Sequence, residues 1–226
     1  MNLNKFLQKN ILLLTGLIIV IQNNAFAGLE TPTGYNVNLQ KVEFHKVGTP
    51  STEYFTYRSG SSDVNIASKL PNEPCATLGP SATPPKGTYD QFRVTVSTSM
   101  TLTGRTTGNL SNGLPCRTVA NGTAVSNPFG DGSVSVAYLG STDGGTPQPE
   151  AVTVPSGTSV VFPTGFSLVG NTIQGTVPVN FTVANSVPQG TVSFNVANGI
   201  DFEVNPSNVA QCFVFPAAPS ISISVA

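Results

Sequence analysis

Tryptophan is absent from this 226-residue chain, and histidine occurs once, as His45. Charge is almost as scarce: Lys and Arg number 10 and Asp and Glu 11, together 9% of residues, against roughly a quarter in ordinary soluble domains. So thin a basic complement excludes nucleic-acid binding, which needs a dense field of Lys and Arg to neutralise phosphates. One imidazole and no Gly-x-Ser-x-Gly elbow leave a serine hydrolase without its usual base and turn. The three cysteines, Cys75, Cys116 and Cys212, form no CxxC pair, so neither a zinc site nor any other metal or cofactor site is expected. No stretch after the first 27 residues carries a helical apolar stripe, and none is apolar for long enough to cross a membrane.

What is present begins with an address. Lys5 and Lys9 sit in a polar start, an apolar run fills 11–21, and Ala25-Phe26-Ala27 supplies the small-x-small pattern of a signal-peptidase site. Eleven residues are too few to span about 30 Å of hydrocarbon as a helix. Residues 1–27 are therefore expected to be a signal peptide and Gly28 the new N-terminus, with no Cys there to carry a lipid. The processed chain would be secreted, periplasmic or at the cell surface. Its charge would be −3, with every basic residue at or before Arg117: +2 up to that point and −5 beyond it. Such asymmetry can steer self-association, although charges this sparse more often just wet a surface.

Alternation with a period of two runs through most of 28–226. Phe92, Val94, Val96, Met100 and Leu102 alternate with Arg93, Thr95, Ser97, Ser99 and Thr101, one apolar face and one hydroxyl-rich. Val177, Val179, Phe181 and Val183 repeat the pattern, and after Pro188-Gln189-Gly190 so do Val192, Phe194 and Val196; these two segments are expected to form a hairpin. Tyr35, Val37 and Leu39 share a face before Val42 and Phe44 take over with opposite parity, which calls for a β-bulge near Gln40-Lys41. Further strands are expected at 54–57, 133–139, 151–154, 159–162, 200–204, 212–215 and 221–225. Long loops are expected at 71–86 and 104–128. An oxidising compartment favours pairing; Cys75 and Cys116, both in turn-rich stretches, are the expected disulfide, with Cys212 a buried thiol.

Many short strands with Gly and Pro turns define the expected fold: all-β, an antiparallel β-sandwich of immunoglobulin-like or prealbumin-like type, as one large domain over 28–226. Two smaller sandwiches meeting near Asp143-Gly144-Gly145 are the alternative. The segment Gly87-Thr88-Tyr89-Asp90-Gln91-Phe92-Arg93 resembles the start of a strand in a family of bacterial secreted β-sandwich domains of uncharacterised function. Residues 37–47, with Lys41-Val42-Glu43-Phe44-His45, and 192–196 are similar to that family's first strand and to a late one. The resemblance covers about a fifth of the processed chain. It implies a sandwich in an envelope or extracellular setting and brings no catalytic residues. The chain departs from the family's frequent lipid anchoring, having no Cys after its leader.

Candidate chemistry is sparse. His45, in line with Glu43 and Val47, reads as the wet face of a sheet. Asp201 and Glu203 share a strand face opposite Ile200, Phe202 and Val204, which makes them solvent-side acids before it makes them a glycosidase pair. Asp131 and Asp143 sit in Gly-rich turns, and turn formation outweighs calcium binding for both. Tyr35, Tyr54, Tyr57, Tyr89 and Tyr138 offer no evident sugar platform, since Tyr54 and Tyr57 differ in parity. The expected function is a non-enzymatic structural or adhesive role in the envelope or outside the cell, with a surface or matrix protein, or a second copy joined at a sheet edge, as partner. A pilin-like assembly subunit donating 221–225 is the main alternative, and a calcium-assisted sugar binder or hydrolase a further one.

Overall fold

The computed structural model describes residues 28–67, 82–126, 128–129, 136–154, 164–185, 190–217 and 219–225. Strand makes up 58% of them and helix none, so the chain is all-β. The expected leader at 1–27, the expected strand at 159–162, Cys75 and Asp131 lie outside the described residues.

The strands are β1 (Gly34–Lys46), β2 (Tyr54–Asn65), β3 (Gly87–Thr103), β4 (Ala124–Ser126), β5 (Val136–Ser141), β6 (Glu150–Thr153), β7 (Phe166–Val169), β8 (Thr172–Val183), β9 (Gly190–Asn195), β10 (Ile200–Val204), β11 (Gln211–Pro216) and β12 (Ser220–Val225). One antiparallel sheet runs β2-β1-β3-β8-β7, with β6 added to β3 where β8 ends. A second runs β10-β11-β5-β4, and β12 pairs with β9. Residues 28–30 lie along β10, where the amide of Glu30 donates to the carbonyl of Ile200 at 2.8 Å.

The two larger sheets face each other across one core, as a β-sandwich requires. Val42, Phe92, Val94 and Ile173 come from the first sheet, and Tyr138, Ile200, Phe202, Cys212 and Val214 from the second. Ile200 and Phe202 are wholly buried, and each such side chain withdrawn from water contributes about 1.5–3 kcal/mol. Residues on both sides of Asp143-Gly144-Gly145 share that core. On β11 the burial is two-sided: Cys212 and Val214 face the main core, while Phe213 and Phe215 join Ala137 and Phe129 in a smaller cluster on the far face.

The expected bulge is present. Between Leu39 and Lys41 the register slips against both β2 and β3. Tyr35, Val37 and Leu39 before it and Val42 after it are all buried on the core side, with Phe44 half-buried against them. Without the extra residue Val42 and Phe44 would point away from the core, because side chains alternate faces along a strand.

The expected hairpin of 177–183 with 192–196 is not formed. β8 is paired with β3 from Thr172 to Val183 and with β7 over its first residues, while β9 pairs with β12. Alternation decides which face a residue presents and leaves the partner strand open. Here β3, 17 residues long, offers β8 a far longer ladder than β9 could. The expected loop at 104–128 contains β4 at its end. β7 and β8 form an unforeseen hairpin whose turn begins at Gly170, with φ +60°; Gly at that place is the signature of a tight type II′ connection.

The expected Cys75–Cys116 pairing is corrected. Cys116 is bonded to Cys212, across a Cα separation of 6.0 Å and 96 residues of chain. The reason is local geometry. Arg117 bridges to Ser141 on β5, and Cys212 on β11 stands opposite Gly140 on that same strand. Glycine at 140 makes the room: a Cβ there would sit 2.9 Å from the Cys212 Sγ and 2.5 Å from the Arg117 carbonyl oxygen.

Candidate functional site

The bulge that returns Val42 and Phe44 to the core sends Glu43 and His45 to the opposite face of the first sheet. Register sets Glu43 between Thr56 on β2 and Arg93 on β3, and His45 between Tyr54 and Gln91. Both are buried, Glu43 to 2% exposure and His45 to 6%, so the expected placement of His45 on the wet face is corrected. Neighbouring long side chains cover it.

Glu43 is held between two cations. Lys41 Nζ lies 2.6 Å from its Oε1 and Arg93 Nε donates to its Oε2 at 2.8 Å. Burial pushes this carboxyl up, and the bonds from Arg93 and Lys41 outweigh it, leaving the pKa below the usual value. Arg93 also lies 3.7 Å above the centre of the Tyr54 ring, a cation–π contact, and the Tyr54 hydroxyl donates to Gln91 Oε1. Charge, ring and amide thus form one closed group.

His45 is the part of that face with chemistry to weigh. Its Nδ1 lies 2.6 Å from Asp90 Oδ1, and its Nε2 lies 3.3 Å from the Thr49 carbonyl oxygen and 3.2 Å from that of Pro50. The Thr49 hydroxyl is 3.4 Å from Nε2 but donates to the Lys46 carbonyl at 2.8 Å. Acid, imidazole and hydroxyl in a row suggest a nucleophilic triad, which needs a neutral ring with a free lone pair toward the hydroxyl. Here Asp90 first, and the two carbonyls with it, favour the ring that donates from both nitrogens and raise its pKa against the desolvation that lowers it. With both ring nitrogens facing acceptor oxygens and the Thr49 hydroxyl turned to the Lys46 carbonyl, the arrangement braces the β1–β2 hairpin.

The remaining sequence candidates are dispersed. Both Asp143 oxygens are taken by Arg117, Oδ1 by Nε at 2.5 Å and Oδ2 by Nη2 at 2.6 Å, and Oδ1 also accepts from the Gly145 amide at 2.9 Å. The Arg117 bond chiefly, and the Gly145 amide with it, hold the Asp143 carboxyl well below the carboxylate range. It is a turn former tied to a cation. Asp201 and Glu203 stand opposite Phe215 and Phe213 on the far face of the second sheet. The Asp201 Oδ1 is buried without a hydrogen bond, and burial pushes that carboxyl up. Of the tyrosines, Tyr35, Tyr89 and Tyr138 are buried, with hydroxyls donating to the carbonyls of Ala217, Pro85 and Thr153. Tyr57 meets Phe44 edge to face at 5.6 Å.

One residue escaped notice in the sequence. Glu150 is wholly buried, and burial pushes its pKa up to about 8 against the nearby Val119 backbone amide, which favours the charged form without meeting hydrogen-bond geometry at either carboxyl oxygen. Its signal was available: Glu150, Val152 and Val154 share one parity, and all three are buried while Ala151 and Thr153 are exposed. Gly122 accommodates it, since a Cβ at that position would overlap the carboxyl group. Among the described residues no group of three or more His, Cys, Asp or Glu side chains is placed to hold a metal ion.

Fold and site together define an antiparallel β-sandwich stapled by a core disulfide and braced by a polar cluster on one sheet. Comparison with protein-family models, with curated proteins and with solved structures finds no match to this chain.

Proposed function

We propose that this chain is an exported, non-enzymatic β-sandwich with a structural or adhesive role in the bacterial envelope or outside the cell. The observation that carries the reading is the buried Cys116–Cys212 bond: structural disulfides persist in oxidising compartments, and the first 27 residues have the pattern that takes a chain there. Support for a non-enzymatic role comes from the imidazole, committed on both nitrogens to acceptors. A pilin-like donor of 221–225 is less well supported, because β12 is already paired with β9 of its own chain from Ser220 to Val225. Expression of the full chain in a bacterium, followed by fractionation and N-terminal sequencing, tests the reading. Recovery outside the cytoplasm with Gly28 first and Cys116 oxidised is expected; cytosolic chain retaining Met1 with both thiols free would overturn it.

A further inference from the structure

We propose that His45 is a pH-sensitive latch on the turn between β1 and β2, with the Thr49 hydroxyl as the group that replaces its lost proton. With both nitrogens protonated, Nδ1–H serves Asp90 while Nε2–H serves the carbonyls of Thr49 and Pro50, which ties the turn at 47–53 to β3. The Thr49 hydroxyl is then free to donate to the Lys46 carbonyl.

A neutral ring cannot keep both sets. Holding the proton on Nδ1 preserves the 2.6 Å contact with the Asp90 carboxylate and turns the Nε2 lone pair toward two carbonyl oxygens. Among the described residues, the hydroxyl in hydrogen-bond reach of Nε2 is that of Thr49, 3.4 Å away. Rotating it onto Nε2 gives up the Lys46 carbonyl, so the turn loses several contacts in one proton event while the strands beyond it keep theirs. Of the other charged groups around the ring, Glu43 and Arg93 are paired with each other, and Lys46 and Glu53 make no contact with the imidazole that competes with Asp90. Glu43 on β1 is satisfied by Lys41 and Arg93, Arg93 on β3 also covers the Tyr54 ring of β2, Lys46 lies along Gly87, and Glu53 is exposed in the turn. Asp90 is left as the anion that acts on the imidazole.

The sign follows from the raised folded-state pKa. The latch is fully closed below the free imidazole value of 6.5 and is lost as pH rises through the higher folded value. A single histidine makes the test clean: the ring nitrogens are titrated by NMR in the full processed protein, with backbone amides followed alongside. The wild type is expected to titrate above 6.5, to carry its neutral-form proton on Nδ1, and to move the amides of 47–53 with the same midpoint. Asp90→Asn should lower the midpoint, whereas Thr49→Ala should raise it, because the neutral ring then has no donor at Nε2; Thr49→Ser should restore it. A wild-type midpoint at or below 6.5, an Nε2–H neutral ring, or turn amides indifferent to the titration would each overturn the proposal, whether or not the variants fold.

Discussion

Replacing Glu150 with Gln removes the titration of a carboxyl that the sandwich buries completely. In the unfolded chain this group ionises near 4.5, while in the fold it keeps its proton until about pH 8. Between those values the unfolded state releases a proton that the folded state retains, so wild-type stability falls as pH rises. The slope is about 1.4 kcal/mol per pH unit, and across the window the loss reaches about 5 kcal/mol. Glutamine keeps the size and never ionises, but its amide brings two N–H donors where the protonated carboxyl has one O–H, and leaving the extra donor buried and unpaired costs about 1–3 kcal/mol at every pH. Glu150→Gln is therefore expected to be the less stable protein at pH 5 and the more stable one at pH 8. Urea unfolding at pH 5, 6, 7 and 8, with the disulfide intact, reads the crossover directly. His45 also titrates in this range, yet it is present in both proteins and drops out of the difference. A stability difference that stays constant from pH 5 to 8 would refute the reasoning, because it would mean that Glu150 is ionised in the fold or reaches water.

Cys212→Ser, or reduction of the wild type, should cost about 4–5 kcal/mol on the chain-entropy account of a bridge spanning 96 residues; thermal melts with and without reductant check it. Gly140→Ala should lose about 1–3 kcal/mol through overpacking, since the new methyl meets the Arg117 carbonyl, the Cys212 sulfur and a Val214 methyl at 2.5–2.9 Å; oxidation of Cys116 should slow as well, as thiol trapping during refolding would register. Glu43, held below its ordinary pKa by Arg93 and Lys41 despite its burial, contributes stability above about pH 4.5 that is lost on acidification. Glu43→Gln should flatten the acid limb of the stability profile, and an unchanged limb would count against the ion-paired cluster.

Much of the architecture was legible in one dimension. The strand at 92–102 falls inside β3, the strand at 200–204 coincides with β10, and the change of parity after Leu39 placed a bulge near Gln40-Lys41, where the register slips against both neighbours. These are consequences of pleating: a one-residue slip moves a whole apolar set to water, so the pattern must record the correction. The candidate cluster was half legible. The spacing of Glu43 and His45 placed them together on one face, while nothing in it said that Arg93, Tyr54 and Asp90 would roof them over.

What periodicity settled here is secondary: strands instead of helices, which residues face inward, and where the chain must bulge. Pairing was left to the tertiary structure, because an alternating segment fits any antiparallel neighbour of similar length. That is why β8 lies beside β3 and β9 beside β12. The disulfide obeys the same logic. Three cysteines allow three bonds, and the choice of Cys116 with Cys212 depended on Gly140, a residue remote from Cys116 in the chain, standing between them without a side chain. Burial of Glu150 and the commitment of both His45 nitrogens are likewise properties of what surrounds each group, and surroundings exist only once the sheets have met.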